Sequence, residues 1–237
     1  MRCKFCGANE KLVKAHIIPR SLYGFPNEPG YAPFLIITNV KGHFKSKSPN
    51  GIYDSALVCK GCEELFNEGD KYAYKVFVKQ RDLWRKVLRH GLAIHIPPAD
   101  FDYRKFKLFI LSLLWRASET SQPFFGKIKL EQHTPIIRKM IAEGSIGSPD
   151  DYSINLAVFD SRMSKSMLLD PDRTRFSGIN YVRFYLAGFM VVVKVDKRRA
   201  PSPLRELQAS PEAGLIAVIR DFQNSKELSV LRKVANH

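Results

Sequence analysis

Two Cys-x-x-Cys pairs, Cys3/Cys6 and Cys59/Cys62, contain all 4 cysteines of the chain. A Cys-x-x-Cys turn presents two sulfurs at a separation that suits a tetrahedral ion, and two such turns complete a closed four-thiolate set. A closed set has no open position, so the spacing predicts a structural zinc whose binding energy is folding energy for the surrounding segment. The stretch between the pairs is much longer than the roughly 15 to 20 residues of common two-pair fingers, so it encloses a whole substructure. Gly7 permits the tight turn after the first pair. Inside the bracket stands His16, in the string Ala15-His16-Ile17-Ile18-Pro19-Arg20. There the clamp could hold an imidazole rigid beside a second metal.

The elements that must position these residues are bounded by composition. With 237 residues, the chain can bury a substantial core as one large domain or two small ones. Its 38 Lys and Arg against 23 Asp and Glu give a formal charge of +15. Such an excess favours a polyanionic partner, most simply nucleic acid, because phosphate contacts release counterions. No apolar run reaches the roughly 18 residues of a membrane span. The first residues, Met1-Arg2-Cys3-Lys4, lack the apolar centre of a secretory leader. A cytoplasmic location is therefore expected, where metal thiolates are favoured over disulfides.

The fold class expected is α+β. Residues 1–70 form a cysteine-anchored unit. In it Leu12 to Ile18 is a short β run stopped by Pro19, Phe34 to Val40 is a candidate hairpin, Ser55 to Val58 is a second strand, and a helix runs on from Cys62. Residues 71–237 form a further α+β domain for targeting, partner binding or regulation. Helical spacing covers Tyr72 to Arg89, Phe101 to Glu119 and Thr134 to Glu143, the last ending near Gly144. Trp115 reads as core and Arg116 as a buried ion-pair partner. Strands follow at Tyr152 to Phe159, Arg162 to Leu169, Tyr181 to Leu186 and Gly188 to Val195, making a mostly antiparallel, strand-rich region. Pro201-Ser202-Pro203 reads as a loop, and the tail after Pro211 as one or two short helices.

Taken together, the two cysteine pairs, Ala15-His16-Ile17-Ile18-Pro19-Arg20-Ser21-Leu22 and Asp54-Ser55-Ala56-Leu57-Val58-Cys59-Lys60-Gly61-Cys62-Glu63 resemble the HNH endonuclease family in its zinc-braced ββα-metal form. The resemblance covers only about the first 70 residues. It implies metal-assisted hydrolysis of DNA phosphodiester bonds. His16 would be the general base and Asp54 the residue that orients it. Glu63 and Asn67, one helical turn apart, would be ligands of a catalytic Mg²⁺ or Mn²⁺. The family's association with defence against foreign DNA suggests one bacterial or phage-related setting. The chain departs from the family at Ala15, where active members usually carry a metal-ligating Asp, Glu or His. The metal would then rest on His16, Glu63, Asn67 and waters, or recruit Asp70 or His43, or no catalytic metal is bound.

Plainer roles stand beside these. His16 could support the zinc unit, Glu63 could be a helix N-terminal carboxylate, Asn67 a solvated residue, and Asp54 a turn or capping group. Arg20 is placed to clamp a phosphate or is a surface charge. Lys41, Lys45 and Lys47 surround Phe44 in a loop that could follow a nucleic-acid backbone or simply be solvated. Two other functions compete with the nuclease: a catalytically inactive, zinc-containing nucleic-acid-binding module, and a protein-interaction or ligand-sensing effector. RNA is not separated from DNA at this level, and the sequence names no oligomeric state.

Overall fold

The computed structural model describes residues 1–23, 35–37, 46–47, 51–80, 84–87, 93–159 and 167–229, with backbone alone for 35–37, 46–47, 85–87 and 167–168. The fold is mixed α+β. Four short strands come first: β1 (Ala15–His16), β2 (Leu35–Ile37), β3 (Ser46–Lys47) and β4 (Tyr53–Asp54). They lead into α1 (Lys60–Tyr74), which continues as a π-helical turn over Lys75–Lys79. Next come β5 (Arg85–Val87), β6 (Ala93–Ile96), α2 (Tyr103–Glu119) and α3 (His133–Glu143). The chain then forms β7 (Ile154–Phe159), β8 (Met167–Leu169), β9 (Asp172–Phe176), β10 (Ile179–Leu186), β11 (Phe189–Lys194), α4 (Ser202–Glu206) and β12 (Leu215–Arg220).

β1 and β4 make an antiparallel pair that precedes α1. A 7-stranded sheet has the order β5-β6-β12-β7-β11-β10-β9. Its neighbours are antiparallel except β12 and β7, which run parallel. β2, β3 and β8 make a third, 3-stranded sheet.

α2 is the buried centre of the helical layer. Asp102 caps it by accepting the Lys105 amide at 3.0 Å, which satisfies one of the donors a helix start leaves open. Its buried positions run nearly all round, including Lys107 and Arg116. A helix buried on every side must give each charge on it a partner. Lys107 gives its ammonium to the carbonyls of Asp151 and Tyr152, which ties the start of β7 to α2. α3 ends where expected, on Gly144 at φ +63°, a left-handed position that glycine takes without a Cβ clash.

Four expectations are corrected. The second strand, expected over Ser55–Val58, lies at Tyr53–Asp54, and residues 55–57 turn the chain. The helix expected to reach Arg89 stops at Lys79, because the buried Trp84 indole donates to the Val76 carbonyl at 3.2 Å and packs on Phe189 at 5.1 Å. β5 follows at Arg85–Val87. The tail expected to hold one or two short helices is helical at residues 226–229 but first forms β12, which fits between β6 and β7 with Leu215 opposite Ile96 and Ala217 opposite Leu156. There its continuous apolar run gains two hydrogen-bonded neighbours, a context that outweighs local helical preference. The expected loop at Pro201–Pro203 instead opens α4, with Pro at a first-turn position where its missing N–H costs nothing. β6 and β9 had no sequence counterpart. The Arg162–Leu169 strand is seen only as β8, and most of the Phe34–Val40 hairpin lies outside the described residues.

The division at residue 70 falls inside α1. One hydrophobic cluster runs from Cys3 and Phe5 through Phe66, Trp115 and Phe125 to Val193 and Ala217. A smaller one, with Phe159, Tyr185, Met190 and Phe222, lies apart from it. Phe5, inside the first cysteine turn, packs edge-on against Phe66 at 5.4 Å and Trp115 at 5.0 Å. The N-terminal segment is thus built onto the α2 layer. Trp115→Phe should lower stability by about 1–3 kcal/mol while preserving a single urea transition. Cysteine alkylation should follow that same transition, and two separated transitions would show independent units.

Candidate metal centre and histidine clamp

The cysteines meet as their spacing requires. Their four sulfurs lie within 4.8 Å of one another, with Cys3 to Cys62 at 3.7 Å and Cys6 to Cys59 at 3.8 Å. Four sulfurs around one ion at about 2.3 Å sit roughly 3.8 Å apart on each tetrahedral edge. The spacing is far beyond a disulfide bond, and all four cysteines are free. Local backbone makes the two turns: the Gly7 amide reaches the Cys3 carbonyl at 2.9 Å with Gly7 at φ +79°. Cys59 caps α1 and Cys62 lies in its first turn, where the helix dipole favours thiolate. Burial opposes ionisation of Cys3, but amides of Cys6, Cys59 and Phe5 hold its thiol down to about 6. Burial and the neighbouring thiols push Cys62 up. A thiophilic cation would relieve this crowding of sulfurs.

The helical layer grips the same turn. Arg138 on α3 donates to the Phe5 carbonyl at 2.9 Å, and Lys4 donates to the Glu119 carbonyl at the end of α2 at 2.6 Å.

The β1–β4 register sorts the residues of the histidine motif by face. Ala15 lies opposite Asp54, and His16 opposite Tyr53. Side chains alternate along a strand, so Lys14, His16 and Tyr53 share one face while Ala15 and Asp54 share the other. Ala15 and Asp54 are buried.

The role expected for Asp54 is therefore corrected. Its Oδ1 accepts the Ala56 amide at 2.8 Å, and its Oδ2 accepts the Thr120 hydroxyl at 2.8 Å and the Ser121 amide and hydroxyl at 3.0 and 3.1 Å. Burial acts to raise its pKa, yet these donors together hold the carboxyl below its ordinary value. Asp54 turns the chain and bolts the strand pair to the segment after α2. It faces away from the imidazole it was expected to orient. Ala15 also finds a physical reason, since a carboxylate there would be buried directly opposite Asp54.

Glu63, Asn67 and Asp70 lie on α1 at spacings that share one face. The Glu63 carboxylate accepts the backbone amide of His16. Among the described residues its buried Oε2 has no hydrogen-bond partner. Burial, with Asp70 nearby, raises the Glu63 pKa against the pull of Arg116. Arg116, wholly buried on α2, holds both oxygens of Asp70 at 2.6 and 2.9 Å and donates to the His16 carbonyl at 2.9 Å. Its remaining donors reach Ser112, and its plane lies over the Phe66 ring at 5.1 Å. His16 is thus held by its main chain from both sides, amide on Glu63 and carbonyl on Arg116.

Arg116 is the anticipated buried ion-pair partner, but its grip on His16 was not anticipated. The available signal was an arginine inside the most apolar helix, which must find a carboxylate. Asp70 serves Arg116 and is not free to compensate for Ala15. Asn67 is exposed on the Glu63 face, and Arg20 is exposed at the start of a 3₁₀ turn, Arg20–Leu22. Lys41, His43 and Lys45 lie outside the described residues, and Lys47 is described only as backbone in β3. Among the described residues, the four cysteines are the only cluster of three or more His, Cys, Asp or Glu able to hold a metal. Among the described residues no second cluster gathers around Glu63 and Asn67. Among family models, curated proteins and solved structures, none matches the chain.

Asp54→Ala should cost about 1–3 kcal/mol at neutral pH by leaving buried donors without an acceptor. A carboxyl held below its ordinary value stabilises the fold above that value, and the contribution fades as pH falls through the folded pKa. The stability gap between parent and variant in urea unfolding should therefore narrow in acid; an equal gap at pH 7 and pH 3 contradicts the assignment. Ala15→Asp should destabilise the protein by about 2 kcal/mol or more, and calorimetry should find no gain in divalent-cation affinity.

Proposed function

We propose that the chain is a zinc-braced phosphodiester hydrolase of the HNH type, acting on nucleic acid, with His16 as general base. The observation that carries this reading is the two-sided clamp on the His16 backbone beside the unpartnered Glu63 Oε2. It accounts for why the strand that carries the imidazole is tied by its main chain to a helix whose start meets four sulfurs. The cysteine geometry supports structural zinc, and the net charge of +15 supports a polyanionic substrate.

In this reading the half-buried His16 takes a proton from the water that attacks phosphorus. The new P–O bond forms as the bond to the leaving sugar oxygen breaks, and that oxygen gains a proton from solvent. Glu63 and Arg116 hold the strand so that the imidazole does not drift during transfer. The buried Oε2 of Glu63 fits one ligand position for Mg²⁺ or Mn²⁺, whose remaining positions are commonly filled by phosphate oxygens and water. Such a cation would stabilise charge on the phosphate and leaving oxygen. Asn67 is placed to join it, and Arg20 to meet a neighbouring phosphate.

A second reading, a nucleic-acid-binding module without hydrolysis, is favoured by two observations. Asp70 is committed to Arg116, and Ala15 brings no ligand.

Nicking of supercoiled plasmid in Mg²⁺, Mn²⁺ or Ni²⁺, stopped by EDTA and reduced about 100-fold or more by His16→Ala, is the expected outcome. Salt-sensitive retention of DNA with no cleavage in any metal supports the module instead. Metal analysis should find about one zinc per chain. Chelation in mild denaturant should unfold the N-terminal turns, and a metal-free protein of unchanged stability would remove the zinc assignment.

A further inference from the structure

The outward face of the β1–β4 pair carries more than the imidazole. Tyr53 is 38 % exposed, one of few large apolar side chains left so open among the described residues. It is the register partner of His16, and the two ring centroids lie 6.2 Å apart at an interplanar angle of 65°. The Lys14 ammonium lies 5.2 Å from the Tyr53 ring centroid on the same face. The ring is carried on a braced backbone. On one side the Ile52 amide donates to the Tyr23 hydroxyl at 2.8 Å, and on the other Asp54 is bolted to Thr120 and Ser121. An exposed aromatic on so rigid a strand gives up little entropy when a flat partner covers it.

We propose that Tyr53 and Lys14 form a stacking platform that makes single-stranded or unpaired nucleic acid the substrate class of the His16 site. The proposal rests on the reading of His16 as the reacting side of the strand pair. An unstacked base lies on the tyrosine ring, and the lysine takes the adjacent backbone phosphate. In a regular duplex each base face is covered by its neighbours, so the platform has nothing to grip. In a single strand every base offers a π face, and stacking on one aromatic is worth a roughly 5- to 150-fold gain in affinity. Cross-strand pairing with His16 places that base next to the phosphate the imidazole would serve.

The test separates the platform from hydrolysis by measuring binding in EDTA, in a His16→Ala background. The probes are a fluorescein-labelled oligothymidine of about 16 nucleotides and a duplex of the same length, read by fluorescence anisotropy. The oligothymidine should bind more tightly than the duplex. Tyr53→Ala should weaken its binding about tenfold and leave the duplex unchanged. Tyr53→Trp should retain single-strand affinity, with the introduced indole quenched on binding. Lys14→Ala should lower the salt dependence by about one phosphate contact. Equal single-strand affinity in the parent and Tyr53→Ala overturns the platform, as does an equal loss for both probes. Absence of plasmid cleavage in the parent bears on the hydrolase reading alone.

Discussion

A guanidinium with no exposure to water holds this structure to its candidate site. Arg116 sits in the most buried helix, and an isolated charge there would cost several kcal/mol. Its fork is satisfied by both oxygens of Asp70, by the His16 carbonyl and by Ser112. These bonds join α2 to α1 and both helices to β1. Truncating any partner would leave charge or carbonyl unmet in a dry interior, so the three elements move as one. The position of His16 is therefore a consequence of how the helical layer solves its own electrostatics.

The cysteine cluster acts on the same elements from the other end. Two of its cysteines open α1, and the other two sit on a turn whose Phe5 packs against Phe66 and Trp115. Lys4 and Arg138 bind main-chain carbonyls across that junction. A cation among the sulfurs would fix the start of α1, and Arg116 fixes its middle through Asp70. Glu63 lies between these anchors, its carboxylate on the His16 amide and its buried Oε2 without a hydrogen-bond partner among the described residues. An unmet buried oxygen costs free energy unless something binds it, which is why it stands out as a place for chemistry.

The cysteine turns were readable in advance because metal geometry is local: two residues between thiols set the sulfur separation. α2, α3, β7 and β11 were readable because long periodic or β-branched runs leave little choice of element. The end of α1 was not, since Trp84 acts through a contact with Val76 and Phe189. β12 was not, because its six residues become a strand only when β6 and β7 flank them. Asp54 was expected to orient His16 through its place in the motif, whereas its contacts follow from which side of a two-residue strand it occupies. A shift of one residue in that register would have exchanged its place with that of Tyr53.

The amino-acid sequence alone determined a cysteine set suited to one tetrahedral ion, a basic chain of mixed α+β type, a buried helix around Trp115 and Arg116, and an imidazole bracketed by the cysteine pairs. Those properties depend on residue type and short spacing. Tertiary structure alone decided that His16 is gripped by Glu63 and Arg116, that Asp54 turns inward, that Asp70 belongs to the arginine, and that Tyr53 shares the outward face. Each of these depends on strand register or on meetings between residues far apart in the chain. Such meetings are settled by the demand that every buried charge and backbone group find a partner.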